Sequence, residues 1–136
     1  MLFTIPILVL LGIVTASNDP PPGNWWSADC YTKDIFWMEE IKGEPVPKFK
    51  TPGKHDFSYD WMLTSIVCNA EYYPQAHYNN GRCVAFEPGF SINGRNWWAS
   101  CADYAKKGFN QIQDGTTDYS RKYYGIGEGR GYLPGQ

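Results

Sequence analysis

Residues of the kinds that acid–base chemistry employs stand near the middle of the chain: His55, Glu71, His77 and Arg82. Cleavage of a phosphodiester by a small ribonuclease needs a base and an acid flanking the phosphate, with a cation beside them. These side chains have suitable chemistry, but their spacing specifies no shared site, and polar residues next to proline and glycine usually occupy solvated loops. Glu39-Glu40 and Asp56/Asp60 could be paired carboxylates for glycoside cleavage. If Asp56 and Asp60 lie on a strand, a solvated face accounts for them more simply. The chain contains no Gly-x-Ser-x-Gly, no His-Glu-x-x-His and no phosphate-binding glycine loop. No catalytic residue and no cofactor is therefore assigned.

The cysteines carry a stronger message. Cys30, Cys68, Cys83 and Cys101 make an even set in a short chain, which points to full pairing. Zinc ligation needs Cys-x-x-Cys or a close histidine pair, and neither His55 nor His77 supplies one, so no metal is expected. Four cysteines allow three connectivities, which sequence alone leaves open. The preferred pairing is Cys68 with Cys83 and Cys30 with Cys101. The first pair encloses Pro74 and the turn signal Asn79-Asn80-Gly81, where the chain can reverse.

Aromatic residues make up 17% of the chain against 19% charged, at a formal net charge of −2. That balance argues against disorder, which goes with few aromatics, and against nucleic-acid binding, which calls for a basic face. The aromatics come in doublets: Trp25-Trp26, Tyr72-Tyr73, Trp97-Trp98 and Tyr123-Tyr124. On a strand, neighbours point to opposite faces, so each doublet sends one ring inward and one outward. Trp97, Trp98, Tyr72, Tyr73, Trp25 and Trp26 are the candidate binding residues, because an outward ring can stack on a sugar or anchor a protein contact.

Several elements must position these rings. Asp34 to Ile41 reads as a strand, and Gly43 to Lys54, with three prolines, as a loop. Phe57, Tyr59, Trp61 and Leu63 alternate with Ser58, Asp60 and Met62, predicting a strand with one aromatic face. Arg82 to Phe86 is a further strand. Asn93-Gly94, between two apolar stretches, predicts a hairpin. From Trp98 the period lengthens: Cys101, Ala105, Phe109 and Ile112 follow at helical steps, with Asp114-Gly115 as a stop. Thr116 to Tyr124 reads as a last strand. The expected fold is mainly β, a small disulfide-linked antiparallel sandwich or barrel, or α+β with one short helix near 100–113.

The first residues set the compartment. Met1 to Val14 is apolar and uncharged, and Ala16 and Ser17 suit signal peptidase. At about 20 residues for a bilayer span, the run is too short to be a stable transmembrane helix. The expected organisation is a signal peptide over 1–17, a flexible lead-in over 18–29, a single secreted domain over 30–124 and a glycine-rich tail over 125–136. After processing, no membrane association is expected. No Asn-x-Ser/Thr sequon occurs.

Cys30 ahead of Phe36-Trp37, an aromatic strand running into Val67-Cys68-Asn69-Ala70, and Cys83 after fourteen further residues together resemble the family of the major Alternaria allergen. The similar stretch spans roughly residues 30–90. That family comprises small secreted fungal β-barrel proteins known as allergens and as elicitors or effectors in plant infection. Its later cysteine pair has no counterpart here beyond Cys101, and the helical pattern after Trp98 departs from an all-β barrel. The resemblance implies an interaction protein without a catalytic centre. The expected function is that of a secreted virulence effector or elicitor, with a host protein or cell-wall carbohydrate as partner. A carbohydrate-binding module using Trp97 or Trp98 and a small secreted ribonuclease or toxin are the alternatives.

Overall fold

A computed structural model describes residues 23–136. The expected signal peptide, and the lead-in up to residue 22, lie outside the described residues. The elements run β1 (Asn24–Trp25), β2 (Ser27–Ile41), β3 (Glu44–Phe49), β4 (Ser58–Tyr59), α1 (Trp61–Val67, continued by a wider π turn over Cys68–Tyr72), β5 (Ala76–Asn79), β6 (Arg82–Ala85), β7 (Ile92–Asn93), α2 (Gly94–Lys107), β8 (Phe109–Gln113) and β9 (Thr116–Tyr132). The fold is mainly β and antiparallel.

Strand β2 organises the molecule. Along one side it pairs successively with β6, β4 and β3; along the other it pairs with β9, from Ser27–Tyr132 to Phe36–Tyr124. The sheet runs β5-β6-β2-β9-β8 and stays open, with β5 and β8 as edges. The closed barrel implied by the family resemblance is therefore not formed. Two-residue turns with both φ values positive close the hairpins, as at Asn80-Gly81 (51° and 85°) and Asp114-Gly115 (52° and 75°). Asp114-Gly115 thus joins two strands instead of ending a helix.

Four expectations from local pattern are corrected. Residues 57–63 do not form one strand: Ser58–Tyr59 pairs briefly with β2, and then Asp60 caps α1, its Oδ1 accepting from the Leu63 N–H at 3.0 Å. Thr32 Oγ1 also donates to Asp60 Oδ2 at 2.9 Å, so the cap is tied to the sheet, and tertiary bonding overrides the period-two pattern. Asn93-Gly94 makes no hairpin turn, because Asn93 Oδ1 accepts from the Asn96 N–H at 2.9 Å and starts α2. The helix expected near 100–113 runs instead from Gly94 to Lys107, and Phe109–Gln113 is strand. Finally, part of the proline-rich loop is β3. It pairs only with β2, and Pro45 and Pro47 occupy alternate positions, where a missing donor on an edge strand costs little.

The glycine-rich end is likewise no loose tail. Residues 125–132 complete β9, and structure begins before residue 30, at Asn24. Glycines alternate along β9 because α2 lies directly on it. A Cβ on Gly127 would stand 2.5 Å from the Cys101 carbonyl oxygen, and one on Gly129 2.5 Å from Trp97 Cδ1. Trp97, Cys101 and Ala105, one turn apart on α2, are all fully buried against that glycine track. Ala28 and Cys30 of β2, Leu63 and Val67 of α1, and Cys68 and Cys83 complete the core on the same side.

Both disulfides follow the preferred pairing. Cys30–Cys101 joins β2 to α2, and Cys68–Cys83 joins the π turn to β6. Among the described residues no cysteine is free, and no helix is long and apolar enough to cross a membrane. Paired cysteines fit an oxidising, extracellular environment.

Candidate binding face on the open sheet

Side-chain alternation divides the sheet into two unlike faces. Ala28, Cys30 and Thr32 of β2, opposite Gly131, Gly129 and Gly127 of β9, look toward the helices. Ser27, Asp29, Tyr31 and Lys33, opposite Tyr132, Arg130, Glu128 and Ile126, look the other way. Arg82 and Val84 of β6 and Tyr59 of β4 join them by register. A bulge between Lys33 and Phe36, with Asp34 at φ 54°, inserts an extra residue and keeps Phe36 on this second face opposite Tyr124. Both helices pack on the first face, and only the last turn of α2 reaches round to the second, at Lys106 beside Tyr124.

At the centre of the second face sits Asp29, only 4% exposed. Tyr132 Oη donates to its two carboxylate oxygens at 3.0 and 3.1 Å, and Tyr31 Oη lies 3.4 Å from Oδ2. The two hydroxyls are themselves 3.1 Å apart. An arginine caps each ring: Arg82 Cζ lies 3.5 Å from the Tyr132 centroid and Arg130 Cζ 3.7 Å from that of Tyr31. Burial pushes the Asp29 carboxyl up to about 6, even though the Tyr132 bond, Arg82, Tyr31 and Arg130 all favour its charged form. The Tyr132 hydroxyl is pushed up as well, by burial first and then by its bond with Tyr31 and the Asp29 charge.

This geometry is a fixed array of rings and guanidinium groups around one carboxyl. The Asp29 oxygens are occupied by tyrosine hydroxyls and roofed by their rings, so the carboxyl fixes the rings and the rings orient the guanidinium groups. Tyr59 extends the array, its Oη donating to the Gly81 carbonyl at 2.6 Å and its ring meeting Tyr31 edge-on at 6.0 Å. Beyond the bulge the face turns apolar. Phe36 packs on Phe49 and Tyr124 at 5.8 and 5.6 Å between centroids, and Phe49 and Ile126 are each 48% exposed. Together with Lys106 and Asp34 at the rim, they line a shallow hollow of about 340 Å³.

The residues singled out from sequence are not gathered on this face. Trp97 is fully buried, and its indole N–H donates to the Asp29 main-chain oxygen at 2.8 Å, which rules it out as a sugar platform. Trp98 is half-buried beside Gly129. Tyr72 packs edge-on against Trp97 at 5.4 Å, while Tyr73, 61% exposed, stands beside the His77 ring. Trp25 covers Gly131, and Trp26 is exposed near Arg82 and Leu133. One ring in and one ring out thus holds for Trp25-Trp26, Tyr72-Tyr73 and Tyr123-Tyr124, but no common platform results.

The acid–base candidates are scattered too. His55 Nδ1 meets Asp34 at 2.7 Å, Glu71 accepts from Tyr104 Oη at 3.0 Å, and His77 Nε2 lies 3.0 Å from the Pro74 carbonyl. Asp60 is a buried helix cap while Asp56 is exposed, and Glu39-Glu40 sits exposed near the end of β2. Among the described residues, no group of three histidine, cysteine or acidic side chains is placed to hold a metal ion. Asp29, Tyr31, Arg130 and Tyr132 went unnoticed in the sequence. The signal for Arg130 and Tyr132 was the alternation of glycine with larger residues over 125–132, a period-two pattern easily taken for a loose tail; Asp29 and Tyr31 had none. Set beside known proteins, the chain matches no family model, no curated protein and no solved structure, so its function has to be read from this face.

Proposed function

We propose that this chain is a secreted interaction protein, of the effector or elicitor kind, that docks a host protein on the helix-free face of its sheet. The supporting observation is the tyrosine–arginine array fixed by Asp29, continuous with the apolar surface of half-buried Phe36 and exposed Phe49 and Ile126. Tyrosine and arginine dominate binding hot spots, and a contiguous apolar patch on a small protein marks a contact site. Two disulfides suit a protein that works outside the cell. The cysteine frame's likeness to fungal elicitors points the same way.

Purified oxidised protein infiltrated into plant leaf tissue, with ion leakage as readout, tests this reading. The parent should provoke or suppress leakage. A triple variant Arg82→Gln, Arg130→Gln, Phe49→Ser that melts at the parent's temperature should lose the effect by about tenfold or more, as removal of hot-spot contacts requires. Equal effects from parent and variant would dismiss the face as the contact surface. Rapid cleavage of added RNA by the parent would favour the toxin alternative instead.

A further inference from the structure

We infer that the partner segment taken by this face is acidic and apolar by turns and lies extended along β2. This rests on the docking reading above and adds the chemistry of the partner. The whole chain carries a formal charge of −2, yet the polar half of the face has the opposite sign. Arg82, Arg130 and Lys33 stand there against two acids, Asp29 and Glu128, and Arg82 Nη1 also donates to the Gln136 main-chain oxygen at 2.6 Å. Glu128 accepts from Arg130 Nε at 3.2 Å, and Asp29 lies beneath the tyrosines. An approaching chain therefore meets guanidinium groups laid flat on rings. A stacked guanidinium has given up much of its rotamer freedom in advance and keeps N–H groups along its edge, the geometry that grips a carboxylate through two bonds.

The apolar half sets the second requirement. Phe36, Phe49, Tyr124 and Ile126 offer no charge of their own, and Lys106 adds a cation at their rim. Asp34, bonded to His55, is the acid that lines this hollow. A purely acidic chain would leave the rings wet, and a basic one would face Arg82, Arg130 and Lys33. A segment with carboxylates over the arginines and apolar side chains beyond the bulge satisfies both halves. From Ser27 to Met38 the face runs about a dozen residues, roughly 40 Å at strand spacing, so a segment of similar length covers it.

Random peptides of about a dozen residues displayed on phage and selected against the oxidised protein test the inference. The selected peptides should be rich in Asp and Glu interspersed with aromatic or aliphatic residues. Their affinity should fall about tenfold or more on Arg82→Gln/Arg130→Gln, and also on Phe49→Ser, with both variants melting as the parent does. Peptides lacking acidic enrichment that still fail on Phe49→Ser would overturn the acidic partner while leaving the docking face in place. Peptides that bind both variants as well as the parent would overturn both ideas. An empty selection would overturn the extended-segment partner.

Discussion

Asp29 is a carboxyl whose environment works against its charge. Its pKa, about 6 in the folded protein against an ordinary value of 3.8, is raised first by burial. The folded state therefore holds the proton more tightly than the unfolded chain does between those two values. The stability this contributes is fully present below pH 3.8 and is lost as pH rises through about 6. A difference of that size corresponds to about 3 kcal/mol at most. Asp29→Asn should therefore stabilise the protein near neutral pH and flatten this part of the profile. Thermal melts of parent and variant at acid and neutral pH check it through the difference between the two curves; identical pH slopes would show that Asp29 is not the group responsible. At this scale the sequence was legible in part. The cysteine pairing could be ranked because a turn signal lay between Cys68 and Cys83. Asp29 gave no sign of itself, because burial and tyrosine hydroxyls reach it from residues 31 and 132, the latter about a hundred positions away.

Among the elements, α2 lies very close to β9. Gly127 and Gly129 let the helix backbone and Trp97 sit directly on the strand. A methyl group at 129 would meet Trp97 Cδ1 at 2.5 Å and Trp98 Cα at 2.9 Å, and neither can withdraw easily, one being fully buried and the other main chain. Gly129→Ala should cost about 1–3 kcal/mol or more. Ile126→Ala, half-exposed on the opposite face, should stay within about 0.5 kcal/mol. Urea denaturation measures both, and a Gly129→Ala protein as stable as its parent would contradict the close approach. Element type was misjudged from sequence where capping competed with alternation. Aromatic alternation over 57–63 is a genuine local signal, but Asp60 bonds the Leu63 N–H and the Thr32 hydroxyl together, and that pair of bonds starts a helix. Asn93 won against its own turn chemistry in the same way.

For the molecule as a whole, two cross-links span the core: one ties α2 to β2 and the other ties the π turn to β6. In the loop-entropy picture the shorter loop contributes about 3 kcal/mol and the longer about 4 to 5, comparable with the entire stability of a small domain. Adding a phosphine reductant should abolish the near-ultraviolet circular dichroism of the packed tryptophans. Persistence of that signal with both bridges open would mean that the core holds without them.

Composition and cysteine parity, which depend on residue identity alone, determined that this chain is an aromatic-rich, disulfide-linked protein suited to an oxidising environment. Tertiary structure alone decided which aromatic rings are surface and which are core, because helix and strand send neighbouring side chains in different directions. It also turned the glycine-rich end into the strand on which α2 rests. The candidate face belongs to the same category: Asp29, Tyr31, Arg82, Arg130 and Tyr132 come from β2, β6 and β9, and only antiparallel pairing at one register brings them together.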